Sequence, residues 1–255
     1  MNNSLETLEN NRKGILFIEL AGLLHDIGKL SKAFLEYRKA WQDDPQGWYK
    51  DPHEHRYLAE YEVFKSCVPK EFNTKFEFLK GCDFGDPDFS IRKAVHDHHK
   101  NEVGNITKML QAADKKDSAI DRNNPLFSAE QKDTIYKSNV FGFEACRVVT
   151  YESQEKERKK LYTSLRTDLP KYFNDFDSKC RRKILNDIGD TFEQGVSDTT
   201  RPQNDTSLWE HAYAVASILK VLSIHNLFNK GIFYNLKLTH LYNLKLTHLV
   251  DKLFT

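Results

Sequence analysis

The stretch LLHDIGKL, residues 23–30, places an adjacent histidine and aspartate at the end of an apolar run. Imidazole nitrogen and carboxylate oxygen together suit divalent metals such as Mn, Fe, Co, Ni and Zn. Neighbouring side chains on a helix point about 100° apart, so His25 and Asp26 reach one centre only if the helix ends there, which Gly28 permits. The stretch therefore predicts two metal ligands at the end of a buried helix. A further histidine would ordinarily come from a preceding helix, yet none occurs before His25.

The composition favours a mostly helical protein. The chain has 255 residues, of which 39% are hydrophobic and 29% charged, as in ordinary soluble domains. Its 11 glycines and 7 prolines are few for a turn-rich β-sandwich, and long stretches contain good helix formers. The formal net charge of +1 does not indicate a nucleic-acid-binding protein, although a balanced total can conceal a local basic patch.

The ends of the chain and its cysteines favour a cytoplasmic protein. The N-terminal segment MNNSLETLENNRKG lacks the basic start and apolar core of a secretory signal. No apolar run approaches the length of a membrane span, so we expect no membrane contact. The cysteines (Cys67, Cys82, Cys146 and Cys180) form no C-x-x-C pair, which indicates reduced and mainly structural thiols.

Apolar residues at helical spacing extend from about residue 15 to residue 40 and break near Ile27 and Gly28. This pattern predicts one helix ending at His25-Asp26 and a second through KLSKAFLEYRKAW. The other predicted elements are helices from about His55, in IRKAVHDHHK (91–100), after Gly104 and through 130–190, with loops at 42–55, 81–90 and 197–207.

The segment SLWEHAYAVASILK predicts a further helix with a histidine beside its core face. Ser207 followed by Glu210 forms the S-x-x-E signature of a capping box. The apolar residues of the core face are Leu208, Ala212, Val215, Ala216 and Leu219. His211 lies beside that face and is the best-placed histidine to supply the ligand missing upstream of His25.

Other histidines and aspartates could complete the site. His53 and His55 precede an amphipathic helix, and we favour His55 because the pattern H-x-x-L-A-x-x-x-x-F continues from it. In AVHDHHK the adjacent pair His98 and His99 can reach different metals from a helix end. His96 is equally well interpreted as solvated or as a support for a ligand, and Asp97 is interpreted as capping or orienting a histidine. Asp114 ends an apolar helical stretch and is the natural carboxylate ligand, whereas Asp117 and Asp121 are predicted to face solvent.

Three features of the sequence are assigned no catalytic role. The basic clusters EKERKK (155–160) and RRK (181–183) favour a solvated helix face over a dedicated nucleic-acid contact. Tyr37, Trp41, Trp48 and Tyr49 are interpreted as core residues rather than a base-stacking platform. YNLKLTHL occurs at 234–241 and again at 242–249, and we interpret it as a recent duplication or a feature of the expressed sequence.

With these residues in place, the chain resembles the HD superfamily of metal-dependent phosphohydrolases. In that superfamily the histidine helix ordinarily precedes the HD pair, whereas here WEHAYAVASILK comes last. The order resembles a circular permutation and, within the superfamily, the N-terminal HD domain of the large subunit of type III CRISPR effector complexes, with the type I-D large subunit close by. Three stretches support the resemblance: ELAGLLHDIGK, HH followed by a helix ending in AAD, and DTTRP…TSLWEH…AVAS, spread over roughly residues 15–225.

The resemblance implies an all-α, circularly permuted HD helical bundle over residues 1–230, followed by a short extension at 231–255. It implies one or two divalent transition metals (Mn²⁺, Ni²⁺, Co²⁺ or Fe²⁺) held by His25, Asp26, His55, His98, His99, Asp114 and His211. The Gly-Gly-Asp-Asp signature of the family's palm domains does not occur, so no cyclase activity is expected. We expect an isolated domain, a split subunit or a fragment.

The implied activity is cleavage of single-stranded DNA in antiviral defence, with other CRISPR effector subunits and crRNA as partners. His25 and Asp26 would be the central catalytic residues. Lys29 would contact phosphate, although a plain surface lysine fits the sequence equally well. Two alternatives stay open, namely a nucleotide or cyclic-nucleotide phosphohydrolase and a non-catalytic scaffold in a ribonucleoprotein assembly.

Overall fold

Six α-helices account for most of the structure that a computed structural model describes, namely residues 2–30, 69–78, 84–101, 103–122, 136–137, 147–148, 151–195, 197, 203–204 and 206–229. The helices are α1 (Asn2–Leu24), α2 (Ile91–Asp97), α3 (Asn105–Arg122), α4 (Tyr151–Asp175), α5 (Ser178–Phe192) and α6 (Leu208–Asn229). Short 3₁₀ helices follow as η1 (Ile27–Leu30), η2 (Lys70–Asn73) and η3 (Phe76–Phe78). The prediction of an all-α fold is confirmed.

One small sheet departs from the predicted pattern. Its strands are β1 (Tyr136–Lys137), β2 (Arg147–Val148) and β3 (Gln203–Asn204), in the order β2-β1-β3. β1 pairs antiparallel with β2 and parallel with β3. The first two strands lie within 130–190, where helix was predicted throughout. The local sequences TIYK and RVVT are rich in β-branched and aromatic residues, which favour strands.

Helix α1 forms the centre of the bundle. It begins at Asn2, earlier than predicted, but its first turns are largely exposed, whereas residues 14–24 are buried. A helix that is apolar on all sides must be covered on all sides, and α6 and α2 pack directly against it. The tyrosine hydroxyl of α4's Tyr172 donates to the carbonyl oxygen of Leu16 at 3.0 Å. The predicted core face of α6 is confirmed, since all five of its residues are buried.

Side-chain caps begin three of these helices, and the sequence predicted one of them. Ser207 Oγ accepts from the Glu210 amide at 3.1 Å, and the Glu210 carboxylate accepts from the Ser207 amide at 2.6 Å. This reciprocal pair confirms the predicted capping box at the start of α6. The side chains of Ser90 and Asp177 cap α2 and α5, and each accepts a hydrogen bond from the backbone amide three residues ahead.

Helices α1 and α6 run antiparallel and approach closely at Gly22. A Cβ atom added to Gly22 would lie 2.9 Å from the Ala216 Cα atom and 3.2 Å from a Leu219 methyl carbon. The first contact is with backbone, which cannot rotate away. Glycine at this position therefore sets the distance between the two helices.

A buried ion cluster joins α1, α5 and α6 beside this contact. The Arg181 guanidinium donates to both Glu19 carboxylate oxygens at 2.9 and 2.8 Å, and Lys220 Nζ donates to one of them at 2.7 Å. Burial would raise the pKa of Glu19, but the two cations hold it below its ordinary value. The carboxylate is therefore ionised and fully engaged in the core.

No helix within the described ranges combines the length and the apolarity needed to cross a bilayer. The predicted extension at 231–255, with its doubled YNLKLTHL, lies outside the described residues. So do Tyr37, Trp41, Trp48 and Tyr49.

We predict that Gly22→Ala destabilises the protein, because the added methyl group forces α1 and α6 apart. Overpacking of this kind costs about 1–3 kcal/mol, more than the gain of about 1 kcal/mol in helix propensity. Gly189→Ala is the matched control, since its Cβ would meet the Trp209 ring at 3.5–3.6 Å, an ordinary contact. Urea unfolding should show a lower midpoint for the first variant only, and equal midpoints would contradict the close-approach argument.

We predict that Glu19→Gln lowers the free energy of unfolding by about 3 kcal/mol near neutral pH, because it leaves two buried cations without their anion. A carboxyl whose pKa falls on folding contributes stability above its unfolded pKa, here 4.5, and loses it as the pH drops through the folded value. The difference in the free energy of unfolding between wild type and Glu19→Gln should therefore become smaller as the pH falls below 4.5. Glu6→Gln, at an exposed position of the same helix, should show neither effect in urea titrations across pH.

Candidate metal centre

The end of α1 delivers His25 and Asp26 into the core. The helix stops at Leu24, a turn follows, and η1 begins at Ile27. His25 Nδ1 lies 2.6 Å from the carbonyl oxygen of Gly22, so Nδ1–H donates and Nε2 presents its lone pair. Both side chains are buried. The helix end predicted from LLHDIGKL is confirmed.

Two other helices bring histidines to the same place with the same orientation. His98 caps the C-terminus of α2, and its Nδ1 lies 2.8 Å from the Ala94 carbonyl oxygen. His211, in the first turn of α6, places Nδ1 2.6 Å from an Asp117 carboxylate oxygen. In each histidine Nδ1 is engaged and Nε2 is directed away, the arrangement in which a supporting group fixes a ligand's tautomer.

The three Nε2 atoms converge on the Asp26 carboxylate. They lie 3.3 Å (His25), 3.5 Å (His98) and 3.1 Å (His211) from its oxygens. The His25 ring centroid is 5.1 Å from that of His98 and 5.6 Å from that of His211. Within the described residues, Nε2 of His25 and Nε2 of His211 are buried and satisfy hydrogen-bond geometry with no group. Buried polar atoms are normally hydrogen-bonded, so their convergence indicates a place for a ligand.

Asp114 and His99 border the same cluster. An Asp114 carboxylate oxygen lies 3.5 Å from His211 Nε2, and the rings of His98 and His99 are 4.0 Å apart. Three sets of residues could each hold a metal ion, because the donor atoms within each set all lie within 4.8 Å of one another. The sets are His25, Asp114 and His211; His25, Asp26 and His98; and His98, His99 and Asp114.

The electrostatics of the cluster suit a cation. Burial would raise the pKa of Asp26, but the charges of His25 and Lys29 and contacts from His211 and His25 hold it well below its ordinary value. Burial and the charge of Asp26 would likewise raise the pKa of Asp114, but His25, His211 and Lys29 hold it below its ordinary value. Burial would lower the pKa of His211, but contacts with Asp117 and Asp26 raise it to about 9. The buried carboxylates are thus ionised and stabilised by the positive charge beside them, and a divalent metal would supply charge of the same sign.

Lys29 closes one side of the cluster. Its ammonium nitrogen lies 2.7 Å from Asp26 Oδ2 and donates to the Ser197 carbonyl oxygen at 2.9 Å. Its side chain is only 14% exposed, so the surface-lysine interpretation is wrong. The ammonium group holds Asp26 and ties the segment after α5 to the site, and a phosphate contact by Lys29 stays a prediction.

Asp117 is the supporting residue that sequence reasoning missed. It was predicted to face solvent, but its side chain is 17% exposed and contacts His211. Its position relative to Asp114 could have revealed this role. Residues three apart on a helix share a face, and Asp114 was already predicted to be a ligand.

The remaining predicted residues have mixed outcomes. Asp97 contacts His96, with Oδ1 2.6 Å from Nδ1, whereas His96 belongs to none of the three donor sets, and a role for Asp97 in orienting a ligand histidine stays a prediction. His53 and His55 lie outside the described residues, as do the side chain of Asp121 and the cysteines other than Cys180. Cys180 is a free thiol.

No family model, curated protein or solved structure matches the chain. The assignment of this site therefore depends on its own geometry. Buried histidine and aspartate donors in these three sets could hold a metal ion, and imidazole with carboxylate is the donor combination of mid-to-late first-row metals.

We predict that Asp117→Ala weakens binding of Mn²⁺ or Co²⁺ by about 10–100-fold, because His211 loses the carboxylate that orients its ring and raises its basicity. Isothermal titration calorimetry on metal-stripped protein measures the effect. Asp190→Ala, at an exposed position on α5, is the control and should bind as wild type does. Equal affinities in all three proteins would show that Asp117 does not support a ligand.

Proposed function

We propose that the protein is a metal-dependent phosphodiesterase of the HD type that cleaves single-stranded DNA. The observation that carries the proposal is the convergence of three histidine Nε2 atoms, from α1, α2 and α6, on the Asp26 carboxylate. Each comes from a different helix and is fixed by a separate hydrogen bond. An arrangement that is rigid, buried and rich in imidazole nitrogens favours a ligand site over a chance cluster.

The position of His211 supports the permuted arrangement. In the chain His211 lies 186 residues after His25, yet their rings are 5.6 Å apart. Helix α6 packs antiparallel along α1, which supports the proposal that it takes the role of the preceding histidine helix. We infer that the chain is a permuted HD domain of the kind found in CRISPR effector large subunits, with effector subunits and crRNA as its partners.

The three donor sets, drawn from His25, Asp26, His98, His99, Asp114 and His211, would hold one or two divalent metals such as Mn²⁺. A metal bound there would supply Lewis acidity toward a phosphoryl group and would lower the pKa of a water molecule. The surrounding residues determine how a substrate reaches the site and how Asp26 is held. His25, His98 and Asp26 are fully buried, whereas Asp114 is 13% exposed and His99 half-buried. A phosphodiester therefore approaches from the side of Asp114 and His99, opposite the sealed core. The Lys29 ammonium group keeps Asp26 ionised and oriented.

We predict that wild-type protein with Mn²⁺ degrades a labelled single-stranded oligonucleotide and that His25→Ala/Asp26→Ala loses the activity, because both central ligands are removed. Denaturing gel electrophoresis follows the products. His225→Ala is the matched control, since this histidine lies on α6 about 21 Å along the axis from His211 and should retain activity.

Other results would redirect the assignment. Release of phosphate from free nucleotides, with DNA intact, would favour a nucleotide phosphohydrolase on the same metal site. Absence of both activity and bound metal, measured by elemental analysis, would favour a scaffold domain.

A further inference from the structure

The outward face of α4 is cationic. Plotted at 100° per residue, the exposed side chains between residues 156 and 174 fall within an arc of about 140° that runs about 27 Å along the helix. They are Lys156, Lys159, Lys160, Thr163, Arg166, Thr167, Lys171 and Asn174. Five are cations and none of these eight is an acid, so we call them the α4 cationic face.

The acids of the same stretch are directed away from this face. Asp168 is buried and lies 2.5 Å from Lys183 Nζ of α5. Glu157 is half-buried and pairs with Lys160 at 2.7 Å. Asp168 therefore neutralises a cation of the neighbouring helix, and Glu157 pairs with Lys160. The local excess of positive charge is hidden in the formal total of +1.

The chemistry of the face favours a phosphate backbone. A helix that lies on a membrane inserts aromatic or aliphatic side chains, and a protein interface has an apolar or aromatic centre. The α4 cationic face offers neither, since its three uncharged members are Thr163, Thr167 and Asn174. Lysine, arginine, threonine and asparagine are the residues that contact phosphate and sugar without reading bases.

We propose that the α4 cationic face binds the phosphate backbone of a single-stranded nucleic acid, independent of sequence. Helix α4 packs against η1, the turn that directly follows Asp26, so the face belongs to the same packed unit as the metal centre. The choice of a single strand rests on the proposed function, whereas the cationic face itself is observed independently of it.

The test measures binding in EDTA, where cleavage is excluded, by fluorescence anisotropy of a labelled oligothymidylate. Lys159→Glu/Arg166→Glu/Lys171→Glu should weaken binding at least about tenfold. It should also reduce the slope of log affinity against log salt by about 2, at about 0.7 for each lost phosphate contact. The matched control, Lys70→Glu/Lys93→Glu/Lys108→Glu, changes the net charge equally at exposed positions on η2, α2 and α3 and should keep the wild-type slope.

The proposal is overturned if wild type does not bind, if both triple variants lose affinity equally, or if the α4 variant binds as wild type does. Capture by phosphatidylserine vesicles without oligonucleotide binding would also overturn it. Should the glutamate variant fail to fold by circular dichroism, Lys159→Gln/Arg166→Gln/Lys171→Gln replaces it with the same expected direction. If wild type never cleaves DNA but the α4 variant still loses affinity for the oligonucleotide in EDTA, the proposed function alone is refuted. If wild type cleaves DNA but the α4 variant binds the oligonucleotide with unchanged affinity, the proposal for the α4 cationic face alone is refuted.

Discussion

The antiparallel contact between α1 and α6 is the constraint on which the metal centre depends. The close approach of Gly22 to Ala216 sets the separation of the two helices, and the ion pair between Glu19 and Lys220 sets their axial register. His25 lies three residues after Gly22, just past the end of α1, and His211 lies five residues before Ala216 on α6. A shift of either helix by one residue would rotate a ligand by about 100°, so the geometry of the donors is decided by packing some distance from them.

Two buried charge clusters lie along this contact, and they differ in how completely they are satisfied. At Glu19 both carboxylate oxygens accept hydrogen bonds from cations of two neighbouring helices, which describes a structural brace. At Asp26 the surrounding histidines use Nδ1 for support and direct Nε2 inward, and two of those nitrogens satisfy no hydrogen bond within the described chain. A protein core rarely keeps such atoms without a ligand. The contrast separates a brace from a binding site in one molecule.

Several parts of this architecture were readable from local pattern. The apolar run before His25 with Gly28 after it predicted a buried helix end, and the Ser207–Glu210 signature predicted where α6 begins; both are confirmed. Such signals work because caps and helix ends are decided by residues a few positions apart. Asp117 was misjudged because its partner, His211, is far away in the chain. The strands β1 and β2 were missed because each is only two residues long, and the pairing of β1 with the distant β3 cannot be read from local sequence.

The sequence by itself determined the chemistry available, namely histidines and aspartates at helix ends, an apolar α1 and a helix that begins at a capping box. Only the tertiary structure decided which of them meet. His25 and His98 directly follow α1 and α2, and His211 lies in the first turn of α6. Their nitrogens converge because burial of the α1 apolar surface forces α2 and α6 against it. The same packing turns Asp168 of α4 toward α5 and leaves a face of lysines and arginine outward. Local pattern encodes each element, but the free energy of burying one shared core sets their relative positions.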